Sequence, residues 1–142
     1  MIVLDTTVLV YAKGAEHGLR EPSRRLLAAV ADGGVEATTT IEVIQELAHV
    51  RARRRGPADA AALARGYADL LAPLLLLNSD HLRRGLDLFE RLDGLGAFDA
   101  VLATATLEVG ATHLVSADRG FAQVEGLAHV FPDSAGVATV LS

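Results

Sequence analysis

Cysteine and tryptophan are absent from this chain, lysine occurs once (Lys13), and aromatic residues make up only 4%. Without cysteine there can be no disulfide and no thiolate metal site, which fits a reducing compartment. Long apolar runs are missing too. The longest, Leu70 to Leu77, contains Pro73 and falls far short of the roughly 20 residues that a membrane helix needs. The N-terminal apolar run is cut by Asp5 with no basic residue before it, unlike a secretory signal. The expectation is a cytoplasmic protein that does not engage a membrane. With so few aromatics the core must be packed from Leu, Val, Ile and Ala, and a 51% hydrophobic content supplies them. A chain of 142 residues is expected to form one domain, spanning 1–142, that buries about 70% of its unfolded surface.

Net positive charge is also lacking. A formal charge of −5 argues against nucleic-acid binding driven by bulk charge. The basic residues are nonetheless clustered, at Arg20, Arg24 and Arg25, at Arg51, Arg53, Arg54 and Arg55, and at Arg83 and Arg84. Such clusters suit either a cationic rim around an acidic centre or solvated helix faces.

Strand and helix patterns alternate along the chain. Met1 to Leu4 reads as a strand buried on both faces, followed by a short helix over Thr7 to Ala12. Glu21 to Ala31 has helical spacing, with Pro22 in its first turn and Asp32-Gly33-Gly34 ending it. Val35 to Thr38 is a second strand. Thr39 or Thr40 then caps a helix running to about Arg54, which Gly56-Pro57 stops, and Asp59 to Leu71 forms the next. Leu74 to Leu77 reads as a third strand. Asn78-Ser79-Asp80 caps a helix whose expected core stripe is Leu82, Leu86, Phe89 and Leu92. A helix over Ala97 to Val109, apolar nearly all round, ends at Gly110. His113 to Ser116 is a fourth strand, and a weak fifth lies within Val124 to Phe131. This alternation predicts an α/β fold with a parallel sheet.

Within that frame, acids fall at informative places. Asp5 directly follows the first strand, at the carboxyl edge where open α/β sheets bind ligands. Asp118 repeats the pattern after Leu114-Val115-Ser116-Ala117, although Asp118-Arg119-Gly120 also has turn chemistry. Asp99 interrupts an apolar helix, and carboxylates are seldom buried unless paired or bound to metal. Glu42 and Glu46 lie four residues apart, on a helix face shared with His49 and Arg53, opposite Val43, Ile44 and Leu47. That face could equally be a solvated one, with Glu42 meeting the helix dipole. Carboxylates gathered at one edge repel one another unless a cation neutralises them. All-oxygen donors select Mg²⁺, with Mn²⁺ able to substitute, and such ions serve phosphodiester hydrolysis.

In that order, Ile2-Val3-Leu4-Asp5-Thr6-Thr7-Val8-Leu9-Val10-Tyr11, Glu42-Val43-Ile44-Gln45-Glu46, Phe98-Asp99-Ala100-Val101-Leu102-Ala103 and Val115-Ser116-Ala117-Asp118-Arg119-Gly120-Phe121 resemble the motifs of PIN-domain ribonucleases. Within that family they are most similar to the small toxins of VapBC-type toxin–antitoxin pairs. The resemblance implies a three-layer fold whose central parallel sheet has about five strands in the order 3-2-1-4-5. It implies catalytic Asp5, Glu46, Asp99 and Asp118, with Asp5, Asp99 and Asp118 at the metal, and leaves Glu42 as an alternative helix acid. Cleavage of RNA would leave a 5′-phosphate and a 3′-hydroxyl. Thr7 stands where many members have Asn or Ser, and Thr6, Thr7 and Ser116 are placed to orient the carboxylates. A homodimer and an inhibitory antitoxin are implied as partners, with Arg51, Arg53, Arg54 and Arg55 available to RNA phosphate or to an acidic antitoxin segment.

Other readings meet specific absences. A receiver-like phosphotransfer domain needs an acceptor Asp after the third strand and a Lys after the fifth, but no Lys follows Lys13. A dehalogenase-type phosphatase needs an acid where Thr7 stands. A dinucleotide-binding domain needs a glycine-rich loop after the first strand. The remaining alternative is a PIN-fold binding or RNA-processing module that is not a toxin.

Overall fold

A computed structural model describes all 142 residues. Four short parallel strands form one sheet in the order β2-β1-β3-β4. These are β1 (Ile2–Leu4), β2 (Ala37–Thr38), β3 (His113–Val115) and β4 (His129–Val130). β1 is central, with Ile2 opposite both Ala37 and His113. Its three residues are at most 2% exposed, as an apolar run between two layers of helices should be. The chain leaves β1 toward β2 on one side and reaches β3 on the other. The crevice between the ends of β1 and β3 is therefore the switch point of the sheet.

The expected third strand is reduced to a single parallel bridge, Thr40 to Leu75. Its place beside β2 agrees with the expected strand order, but its length does not. The reason lies in β2, which ends at once because Thr40 turns away to cap a helix, its side chain accepting from the Val43 N–H. Leu76 and Leu77 then have no ladder to join, and Leu76 is left 72% exposed.

Helices cover both faces: α1 (Thr6–Lys13), α2 (Arg20–Ala31), α3 (Ile41–Leu70), α4 (Ser79–Arg91), α5 (Ala97–Val109) and α6 (Ser134–Leu141). The last was not expected from the sequence. α3 consists of two helical arms joined at Gly56, whose φ of 82° only glycine adopts readily. Pro57 follows and starts the second arm, so the expected break at Gly56-Pro57 is present as a kink. α5 is central, with Ala100, Leu102, Ala103 and Ala105 buried, and it ends at Gly110 in the left-handed conformation. Thr104 and Thr106 are buried in the same helix because their hydroxyls donate back to the carbonyls of Ala100 and Leu102.

α4 packs differently from its expected stripe. Leu82, Leu86 and Phe89 are 51%, 44% and 47% exposed, and only Leu92 of that set packs against the core. The inward face carries His81 and Gly85 instead. A Cβ on Gly85 would lie 2.8 Å from the Val101 Cα, so α4 and α5 meet backbone to backbone at this point. His81 completes a reciprocal cap, its Nδ1 accepting from the Asn78 N–H while Asn78 Oδ1 accepts from the His81 N–H. Its Nε2 lies 2.7 Å from Glu108 on α5. A polar residue and a glycine thus occupy the face that hydrophobicity alone assigns to leucines.

Candidate active site

Asp5 follows β1 and occupies the N-cap position of α1, yet its side chain caps nothing. It is 5% exposed. Its Oδ2 accepts hydrogen bonds from Ser116 Oγ at 2.6 Å and Thr7 Oγ1 at 3.1 Å. Thr7 Oγ1 in turn accepts from the Ala117 N–H at 2.9 Å, and Ser116 Oγ from the Asp118 N–H at 2.9 Å. The two strand ends are thereby tied together through the Asp5 carboxylate. One of its oxygens is consumed by this network, and Oδ1 remains free to serve as a ligand.

Thr6 reaches the other way, its Oγ1 donating to Glu46 Oε2 at 2.8 Å. This bond selects Glu46 over Glu42 as the acid of α3 joined to the Asp5 loop, while Glu42 lines the same cleft further out. Asp118 takes the turn role the sequence allowed and also lies beside Asp99. Its Oδ1 accepts from the Gly120 N–H at 2.8 Å, which is turn chemistry, and its carboxylate also meets Asp99.

Asp99 lies in the first turn of α5 and is the most perturbed acid. Its pKa is pushed up to about 8, first by burial, then by the negative charge of Asp5, by a hydrogen bond to Asp118 and by the charges of Asp118 and Glu46. Four acids from four separate stretches of the chain therefore share one field, and without a cation Asp99 keeps its proton at neutral pH. No three acidic or imidazole side chains stand close enough together to make a ready cage for a metal. Mg²⁺ does not require one, since it commonly takes one or two carboxylates and retains several waters. The free Asp5 Oδ1, the proton-holding Asp99 and an all-oxygen donor set fit a hydrated hard cation.

Asp5, Glu46 and Asp99 line a cleft of about 780 Å³, and Asp118 lies outside its lining. One wall is the first arm of α3, with Glu42, Gln45, Glu46 and His49, and the other is apolar, with Leu77, Leu82, Leu86, Phe98 and Val101. None of the four arginines singled out from the sequence lines it. Arg51 and Arg54 border a small hollow beside Lys13 and Gly14. Arg51 is committed to Asp59 at 2.6 Å, whose carboxyl it holds below the usual range. Arg53 is exposed and continues the α3 stripe of Glu42, Glu46 and His49. The apolar wall escaped the sequence reading because its leucines were assigned to the core. The one signal for Phe98 was an aromatic side chain beside an acid in a chain with few aromatics.

Comparison with known proteins gives concordant results. The PIN domain pattern matches residues 2–127. The chain is 56% identical over 145 aligned residues to Ribonuclease VapC7 of Mycobacterium tuberculosis, covering 99% of this chain and 98% of the relative. Ribonuclease VapC13 of the same organism is 33% identical, covering 89% and 97%. Among solved structures, the Mycobacterium tuberculosis toxin VapC20, described as cleaving the sarcin-ricin loop, superposes with a TM-score of 0.68 at 19% identity. The match covers 80% of this chain and 87% of that one, and at that identity it speaks for the fold.

Proposed function

The chain belongs to the PIN-domain family, and from that membership we propose that it is a metal-dependent endoribonuclease, the toxin of a VapBC-type pair. The observation that carries the reading is the meeting of acids at one strand edge: Ser116 and Thr7 hold the Asp5 carboxylate, Thr6 ties Glu46 to the Asp5 loop, and Asp5, Asp118 and Glu46 add to burial in raising the pKa of Asp99. Such crowding of acids is unfavourable unless a cation joins them, and perturbed acids of this kind mark functional sites. Likeness to curated VapC ribonucleases over nearly the whole chain supplies the reaction class.

In this proposal Asp5, through Oδ1, and Asp99 hold the ion most directly, with Asp118 beside them. Bound Mg²⁺ or Mn²⁺ supplies polarisation of the phosphoryl group and a more acidic water. Ser116 and Thr7 fix the Asp5 carboxylate, so it needs no reorganisation when the substrate arrives. Thr6 orients Glu46 through Oε2, and in this reading Glu46 Oε1 would accept a proton from the attacking water. Asp99 would have to release its proton to serve as a ligand of that ion. In-line attack of water on phosphorus would break the P–O3′ bond, the departing 3′-oxygen taking a proton from solvent, and leave a 5′-phosphate and a 3′-hydroxyl.

The proposed partners are an RNA substrate, a cognate antitoxin that occludes the cleft, and a second copy of the chain. The exposed row Leu82, Leu86 and Phe89 supports a protein contact on α4, since large apolar side chains grouped at a surface mark interaction sites. No helix is long and apolar enough to cross a membrane, and the cytoplasm is the proposed site of action.

The test is cleavage of total RNA with and without Mg²⁺ or Mn²⁺, with product ends sequenced. Metal-dependent cuts bearing 5′-phosphates, lost in Asp5→Asn and Asp99→Asn while the fold persists, are expected. Equal activity in a chelator, or in either variant, would refute it.

A further inference from the structure

Phe98 is 82% exposed, more than any other large apolar side chain in the molecule. It forgoes the burial that ordinarily accounts for an aromatic residue, in a chain that has only four Phe. Its position is not arbitrary. It directly precedes Asp99, in the first turn of α5, and it lines the same cleft as Asp5, Glu46 and Asp99. Leu82, Leu86 and Val101 line the same wall, so the side chains around the ring are apolar rather than charged.

The opposite wall has a different character. Along the first arm of α3, Glu42, Glu46, His49 and Arg53 fall within one narrow stripe. His49 lines the cleft one turn beyond Glu46, and Arg53 follows outside the lining, on the same stripe about 10 Å along the axis from Glu46. Both are exposed, and neither has a side-chain partner among the ion pairs of the protein. Charge along the stripe thus passes from acidic, at the reacting centre, to basic. An apolar aromatic wall facing a stripe with basic groups is suited to a strand that carries flat bases on one side and phosphates on the other.

We propose that Phe98 is the base-stacking platform of the cleft, holding an unpaired nucleobase next to the bond to be cut, while His49 and Arg53 take the phosphates on that side. This rests on the ribonuclease reading and deepens it. A stacked base must be out of its helix, so Phe98 makes the enzyme select single-stranded or looped RNA. Because every base has a π-face, the ring sets where the strand lies rather than which base it carries. Phe98 is a binding residue and takes no part in proton transfer.

The experiment maps the parent enzyme's cleavage site in total RNA, then rebuilds it as a short synthetic substrate. Parent, Phe98→Ala, Phe98→Tyr and Phe98→Leu are compared for KM and kcat, with matched substrates lacking one base at each nucleotide flanking the cut. Phe98→Ala is expected to raise KM about 5- to 150-fold, the range for one lost base–aromatic stack, with kcat changed far less. Phe98→Tyr should retain parental KM and Phe98→Leu should fall between. On the substrate missing the stacked base, parent and Phe98→Ala should become equal. Melting temperatures should match, since the side chain is solvent-facing. A KM within twofold of the parent, or a penalty that persists on every abasic substrate, would overturn the proposal. So would a defect that disappears at high protein concentration together with restored dimer, because Phe98 would then be a protein contact. A parent that cuts no RNA would instead bring down the ribonuclease reading itself, and an active Asp5→Asn would bring down the assignment of the acidic site.

Discussion

Gly85→Ala should uncouple the catalytic geometry from the stability of the fold. An added Cβ would stand 2.6 Å from Val101 Cγ2, 2.8 Å from its Cα and 3.0 Å from its N. Ordinary carbon contacts lie at roughly 3.5–4.0 Å, and two of the three atoms are backbone that no rotamer can move. α4 and α5 must separate by about 0.7–1 Å. Overpacking of this kind costs about 1–3 kcal/mol, and the backbone contacts place it near the upper end. Replacing a helical glycine by alanine returns about 1 kcal/mol, leaving a net loss near 2 kcal/mol. For a domain of this size that lowers Tm by about 4–8 °C. Asp99 is two residues from Val101 on the displaced helix, and if it holds the role proposed for it, a 1 Å error there should reduce turnover about 100-fold. Thermal melts and cleavage rates, both taken well below Tm, separate the two effects. Gly66→Ala is the control, since nothing lies within 4 Å of its added Cβ, and it should stabilise slightly. A Gly85→Ala protein as stable and as active as the parent would refute the close approach of the two helices.

Three further outcomes follow from the same geometry. In metal-free buffer the folded protein holds the Asp99 proton up to about pH 8, whereas the unfolded chain releases it near 3.8; the folded state therefore binds more protons in that window. The contribution of this group to stability should fall as pH rises from about 4 to 8, with a slope below the 1.36 kcal/mol per pH unit of one fully shielded proton, and denaturant titrations should show the slope flattened in Asp99→Asn. Glu46→Gln should reduce RNA cleavage far more than Glu42→Gln, because only Glu46 accepts the Thr6 hydroxyl; equal losses in kcat would show that the Thr6 bond does not select the acid. Leu86→Ala should cost under about 1 kcal/mol because the side chain is 44% exposed, whereas Leu9→Ala, at 0% exposure, should cost about 2–5 kcal/mol; urea unfolding that reversed this order would contradict the packing of α4.

Much of the fold was written locally. Apolar runs such as Ile2 to Leu4 and Leu114-Val115 read as buried strands, and Asp5 directly after the first and Asp118 three residues after the second fall at the carboxyl edge of a parallel sheet. Gly56-Pro57 had to break α3, because glycine there takes φ of 82° and proline cannot continue the helix before it. The family resemblance implied Asp5, Glu46, Asp99 and Asp118 as one set, with Glu42 open as the helix acid, and the fold sets Asp5, Asp118 and Glu46 around Asp99. Other features depend on what lies opposite. Leucine spacing on α4 fits two faces, and the close contact of Gly85 with α5, together with the pairing of His81 and Glu108, decided which turned inward. Leu74 to Leu77 has strand character, but β2 stops too soon to pair with it. Which of Glu42 and Glu46 meets the Asp5 loop was settled by the Thr6 hydroxyl, 40 residues away in sequence. Local chemistry decides what a segment can become; which face it presents, and to which neighbour, is a property of surfaces that meet only once the chain has closed.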